Sequence, residues 1–277
     1  MIMKSLFVAA CVARSVGAQT HTLVSVGDHR LDVVRKGGGS PAVIFETGLA
    51  DSLNVWLPMV DTVASYATAV AYSRAGFGRS DPGPRDHSVP HAVADLHELL
   101  QQLRIKPPYV LVARSYGSLI SRLYVSTYPD EVAGIVLVDG THEQQVQRFG
   151  TIDSTYPRKF RQYYDSVLRT LPPGPEVAEI RETVKIQAAG SVTGLKPLPD
   201  IPIAVLTSMK SDESAPYVNG TARGHVVWRA LHDEWFRQSR DGIHIQTTRS
   251  GHPIQDEEPG LVAYAIRFVV DRVRTSR

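Results

Sequence analysis

The stretch Tyr109-Val-Leu-Val-Ala-Arg-Ser-Tyr-Gly-Ser118 decides how the rest of the chain is read. Its first four residues are apolar on every position, as a strand covered on both faces requires. The apolar spacing of a helix begins at Leu119. The chain must therefore pass from strand to helix within a few residues, with Ser115 at the apex. Such a turn holds the serine in a strained backbone conformation and leaves room only for small side chains two positions before and two after. Ala113 and Gly117 meet that demand. The result is a G-x-S-x-G turn with alanine at its first position.

Similar runs lie on either side. AVIF at 42–45, AVAY at 69–72, IVLV at 135–138, IAVL at 203–206 and IHIQ at 243–246 read as further strands. Residues 22–26 and 31–35 read as two strands joined by a turn at Gly27-Asp28. Helical spacing appears at 54–65, 89–103, 119–128 and 260–273. Strands alternating with helices predict an α/β fold, with helices on both faces of the sheet. The rhythm breaks at 142–200, a polar and aromatic stretch with helical spacing at 160–168 and 177–186 around a Leu171-Pro-Pro-Gly-Pro175 hinge. It reads as a helical cap inserted into a core formed by 19–141 and 201–277.

Composition narrows the partners. The chain has 277 residues, of which 43% are hydrophobic and 21% charged, an ordinary globular balance. Residues 1–18 read as an export signal: a basic start at Lys4, the apolar run SLFVAACVA, then Val16-Gly17-Ala18 before a cleavage site. Val8-Ala9-Ala10-Cys11 also resembles a lipoprotein processing box, behind a very short apolar run. Nine residues fall short of the roughly 20 that span a bilayer, so no transmembrane segment is expected. Without Lys4 and Arg14, the 30 basic residues match the 28 acidic ones, and nucleic acid is not an expected partner. Cys11, the single cysteine, would leave with the signal. No disulfide, thiol nucleophile or cysteine-bound zinc is then expected, and stability must come from the hydrophobic core.

A serine hydroxyl is a weak nucleophile until a base takes its proton. Of ten histidines, His252 is placed best, because Ser250-Gly251-His252 follows the last strand run and precedes the last helix. His91 and His97 lie on one helix, His225 and His232 flank Trp228 on another, and His244 alternates in a strand. His225, His232 and Asp233 make a poor metal set, so neither metal nor cofactor is expected. An acid must orient the imidazole. Asp139 closes IVLVD at a strand end, and Asp212 follows IAVLT on a polar loop; either preserves the order serine, acid, histidine, and Asp139 is preferred. A tetrahedral intermediate also needs oxyanion donors. The N–H of Tyr116 and that of Leu49, in Glu46-Thr-Gly-Leu49, are the candidates.

These motifs together resemble the α/β-hydrolase fold superfamily. Four occur in its order: Glu46-Thr-Gly-Leu49, Ser73-Arg-Ala-Gly-Phe-Gly-Arg-Ser-Asp81, Ala113-Arg-Ser-Tyr-Gly117 and Ser250-Gly-His252. The resemblance covers nearly all of the chain after residue 20. It implies an eight-stranded, mostly parallel sheet with a cap over the pocket. It also implies Ser115 as nucleophile, His252 as base, and Leu49 and Tyr116 as oxyanion hole. The family places its acid after strand seven in most members and after strand six in some, which is the choice between Asp212 and Asp139. Several positions depart from the pattern: Ala113 for Gly, Arg114 for His, Ser73 for Asp, and Glu46-Thr47 for His-Gly. Arg114 and Glu46 are expected to pair beneath the pocket. Epoxide hydrolases and haloalkane dehalogenases of this fold attack with Asp, so Ser115 points instead to hydrolysis of a small carboxylic ester or lactone. The competing reading is a catalytically silent member that binds a small molecule. The cap aromatics Tyr156, Phe160, Tyr163 and Tyr164 read either as the lining of an acyl or alcohol pocket or as packing of the cap onto the main domain, whereas Trp56 and Trp228 are expected in the core.

Overall fold

In the computed structural model, which describes residues 20–83, 86–211 and 218–276, all eight strand runs join one sheet. The strands are β1 His21–Val26, β2 His29–Lys36, β3 Ala42–Glu46, β4 Thr68–Tyr72, β5 Tyr109–Arg114, β6 Val132–Val138, β7 Ile203–Ser208 and β8 Gly242–Thr247. Their order across the sheet is β1-β2-β4-β3-β5-β6-β7-β8. Only the β1–β2 and β2–β4 pairs are antiparallel. From β4 to β8 every pair is parallel, so these strands end along a common edge. The export signal expected at 1–18 and the alternative acid Asp212 lie outside the described residues.

Why the central strands are apolar throughout follows from their two coats. Ile44, Leu111, Ala113, Leu137 and Val205 face a layer containing α2 (Val89–Gln102) and α3 (Gly117–Thr127). Their chain neighbours Val43, Phe45, Val112, Val136 and Leu206 face α1 (Leu57–Val63) and α9 (Pro259–Thr275). Alternate side chains point to opposite faces, and both faces are dry, so no polar alternation survives.

Between β6 and β7 the chain forms α4 (Gln145–Gly150), α5 (Tyr156–Thr170) and α6 (Pro175–Ala189), the insertion expected at 142–200. Helix α7 (Ala222–Phe236) separates β7 from β8, and α8 (Ile254–Glu257) precedes α9. The helix expected at 54–65 begins instead as a 3₁₀ turn, Leu53–Trp56, before α1. Pro58 explains the change, since it has no N–H to donate and suits only a first helical turn. Helices α4 and α8 leave no clear sequence signal, because one or two turns are too short to display a period. Among the described residues no helix is long and apolar enough to cross a membrane.

Candidate active site

At the common edge, β5 ends in Arg114 and Ser115 takes φ +48°. That left-handed conformation is strained for a residue with a side chain and persists only when its surroundings impose it. Here the Ser115 N–H donates to Val138 O (3.2 Å), and Ser115 O accepts from the N–H groups of Ser118 and Thr141 (both 3.0 Å). Gly117 is required for close approach: a Cβ there would lie 2.5 Å from Thr47 O and 2.8 Å from Glu46 Cγ. The β3 loop thus sits directly against the serine turn.

The acid enters from β6. Asp139 follows Val138 at φ +44° and is nearly enclosed, with 4% of its surface exposed. Its Oδ1 accepts from Ser208 N–H (2.9 Å) and from the Trp228 indole N–H (2.8 Å). Its Oδ2 lies 2.7 Å from His252 Nδ1. Burial alone would raise the carboxyl's pKa. The hydrogen bonds and positive charge of the imidazole, together with the indole N–H, outweigh it and hold the group below the usual carboxylate value. A carboxylate at Asp139 only accepts, so His252 Nδ1 carries a hydrogen and Nε2 is the ring nitrogen left unengaged by the acid.

The loop that carries His252 is itself tied down. Ser208 Oγ donates to Ser250 O (2.9 Å), Gly251 N–H to Glu257 (3.0 Å), and Ser250 Oγ to Glu258 (2.7 Å). Ser115, Asp139 and His252 line one cavity of about 640 Å³. Three residues from three loops, 137 positions apart at the extremes, therefore line one cavity because parallel strands end together, and of the three the His252–Asp139 pair is hydrogen-bonded.

Across the serine, the Gly48 backbone approaches closely enough that a Cβ would lie 3.5 Å from Ser115 Cβ. Neither the Leu49 nor the Tyr116 N–H has an acceptor among the described residues. Two free donors flanking a serine leave a place for an oxygen that gains negative charge.

A family profile described as alpha/beta hydrolase fold matches residues 41–172. The uncharacterized protein YqjL of Bacillus subtilis (strain 168) is 25% identical over 234 residues, 84% of each chain. A thermophilic esterase from Thermogutta terrifontis superposes with a TM-score of 0.65 at 18% identity, covering 92% of this chain and 99% of its own. An epoxide hydrolase from Bacillus megaterium reaches 0.68 at 15% identity, covering 90% and 100%. The chain has the α/β hydrolase fold.

Within this hydrolase fold, several side chains depart from their sequence reading. Trp228, expected in the core, lines the cavity and donates to Asp139. Trp56 is buried as expected, its indole N–H donating to Glu46 O (3.0 Å). Tyr156 and Tyr164 line the cavity beside Phe149, whereas Tyr163 is 48% exposed and packs edge-on against Tyr164. Arg114 and Glu46 do not pair. Arg114 pairs with Asp51 instead, and Glu46 with Arg74 at 2.6 Å. Glu46 is buried, and its carboxylate is paired by the Arg74 guanidinium.

Arg74 also reaches the insertion. Its Nε and Nη2 donate to Glu179 of α6 (2.6 and 3.0 Å), and Nη2 donates to Gly48 O (2.6 Å). Glu179 in turn accepts from Ala50 N–H at 2.8 Å. One buried guanidinium thus joins β3, the loop beside Ser115 and the insertion. The only hint of this in the sequence was the Ser73-Arg74 motif itself, since a partner 105 positions away shows no local signal. Among the described residues no group of three or more histidine, cysteine or acidic side chains is arranged to hold a metal ion.

Proposed function

We propose that the protein is a hydrolase that cleaves a small carboxylic ester or lactone through an acyl-enzyme on Ser115. The observation that carries this reading is the hydrogen bond between His252 Nδ1 and the enclosed Asp139, on the wall of the cavity that Ser115 also lines. An imidazole held in that way by one nitrogen has the other available as a base.

In this mechanism the Ser115 hydroxyl attacks the substrate carbonyl as its proton passes to His252 Nε2. Asp139 stabilises the imidazolium and keeps the ring oriented. The carbonyl oxygen becomes an oxyanion and accepts from the N–H groups of Leu49 and Tyr116, each such donor contributing about 3–4 kcal/mol to the transition state. Collapse expels the alcohol, which takes the proton from His252. Water then repeats the sequence and releases the acid. No cofactor enters any step. The aromatic side chains Phe149, Tyr156 and Tyr164 form the wall contributed by the insertion, which acts as a cap and selects the substrate. Residues 1–18 serve as an export signal in this reading, which N-terminal sequencing of the secreted protein tests.

A fluorophosphonate probe should label the wild-type protein and not Ser115→Ala, and turnover of an activated ester should fall by about 10³-fold or more. Retained turnover in Ser115→Ala would remove the serine from its role. A folded wild-type protein that resists labelling would favour a small-molecule-binding member that performs no reaction.

A further inference from the structure

Behind Asp139 lies a chain of buried polar side chains that the proposed reaction does not use. His232 Nε2 is 2.9 Å from Gly140 O, and His232 Nδ1 is 2.6 Å from Thr207 Oγ1. Thr207 Oγ1 is also 2.7 Å from His244 Nε2, and His244 Nδ1 is 2.7 Å from Asp233 Oδ1. His232 and Thr207 are completely enclosed. The chain therefore runs from the turn that carries Asp139, through α7 and β7, to β8.

Counting hydrogens gives it a direction. The carbonyl of Gly140 only accepts, so His232 Nε2 carries a hydrogen. Complete burial holds His232 neutral, its pKa lowered to about 4, so Nδ1 bears a lone pair. Thr207 must then donate to Nδ1, and its oxygen accepts from His244 Nε2–H. His244 Nδ1 faces Asp233 Oδ1, beside Arg229 and Arg237 of α7 and the ring of Phe236, and burial lowers the His244 pKa.

The ring plane of His232 is fixed as well. It stacks on Trp235 at 4.9 Å and packs against Trp228 at 4.3 Å. Residues 228, 232 and 235 occupy one face of α7, since positions four and seven apart on a helix lie above one another. The same face thus holds the Asp139 carboxylate through Trp228 and the following carbonyl through His232.

We infer that His232 is a positioning residue for Asp139: its Nε2–H, with Thr207 donating to Nδ1 on the other side of the ring, pins the strained Asp139-Gly140 turn so that the carboxylate meets His252. The inference rests on the role proposed above for Asp139 and His252. A turn at φ +44° needs outside restraint, and the Gly140 carbonyl is the atom of that turn which α7 grips.

The test uses the full chain with ¹⁵N-labelled histidine. NMR should find His232 neutral with hydrogen on Nε2 between pH 6 and 8. A low-field Nδ1–H resonance of His252, the signature of its bond to Asp139, should be present in wild type and in His232→Gln, whose amide N–H replaces the ring donor. It should be lost or broadened in His232→Leu and in Thr207→Val, an isosteric change that keeps the fold accessible should the leucine variant fail to fold. With an activated ester, kcat should fall about tenfold to a hundredfold in those two variants with KM within about twofold, and His232→Gln should recover most of the loss. Hydrogen on Nδ1 of His232, or an unchanged His252 resonance in the folded Thr207→Val variant, would overturn the inference. The resonance does not depend on turnover, so a wild type that hydrolyses nothing and resists the fluorophosphonate would defeat the proposed reaction while leaving the positioning claim decided on its own.

Discussion

Glu46 and Asp139 invite comparison, because both are enclosed carboxylates at the ends of parallel strands that flank β5. Glu46 is satisfied on every side by protein: Arg74, the Thr47 N–H and the Tyr72 hydroxyl. Its burial pushes the pKa up against the pull of Arg74 and those hydrogen bonds, and the net shift is upward. Asp139 meets two neutral donors and an imidazole, and its net shift is downward. The imidazole is the decisive difference. A guanidinium closes a carboxylate off, whereas the half-exposed His252 ring joins its carboxylate to the cavity wall. Two similar acids at similar places therefore become a fastening and, in the reaction proposed above, part of a reactive site.

The largest effect that tests this contrast is Asp139→Asn, which should lower kcat for an activated ester by about 10³- to 10⁴-fold, as loss of the orienting acid does elsewhere. Asp212→Asn should change it by less than about threefold, and the reverse ranking would transfer the role to Asp212. On the other side of the comparison, Arg74→Ala strands Glu46 and Glu179 as buried charges. Denaturant titration should show a loss of about 3–5 kcal/mol. If stability held while kcat collapsed, the Arg74 cluster would belong to the site rather than to its support.

Buried histidines sharpen the picture at acid pH. Burial lowers His142 to about 3 and His232 to about 4, so both are neutral when folded and must bind protons to charge. In the unfolded chain each titrates near the ordinary imidazole value of about 6.5. Because the folded values are depressed, their contribution is complete above that value and lost as pH falls toward 4 and then 3. The loss should be on the order of 3 kcal/mol for each, and His142→Gln should flatten the curve measured by denaturation from pH 7 to 4. A modest effect is expected of Trp228→Phe, which removes one of two neutral donors to Asp139. A drop of about tenfold in kcat is expected, and a change under twofold would mean that the Ser208 N–H suffices.

Much of this arrangement was legible beforehand because it is local. The serine turn depends on Ala113 and Gly117 within two residues of Ser115, and the strands declare themselves by unbroken apolar runs. His252 could be singled out by its place between the last strand and the last helix. Trp228 could not, since an aromatic residue on a helix looks the same whether its N–H meets solvent, a backbone carbonyl or a carboxylate 89 positions away. Arg114 misled for a related reason: it lies on the neighbouring strand, one residue past Ala113, the register partner of Glu46, but its side chain reaches Asp51 while Arg74 occupies the carboxylate.

Hydrophobic periodicity and steric demands act between near neighbours, and so the chain by itself determined the alternating architecture, the strained serine and the position of a histidine loop. Partner choice among buried charges depends on which side chains arrive from distant strands and on how completely water is excluded. Those are properties of the packed sheet and its flanking helices. Only the assembled structure decided that Arg74 would hold the insertion to the β3 loop and that α7 would grip the turn at Asp139.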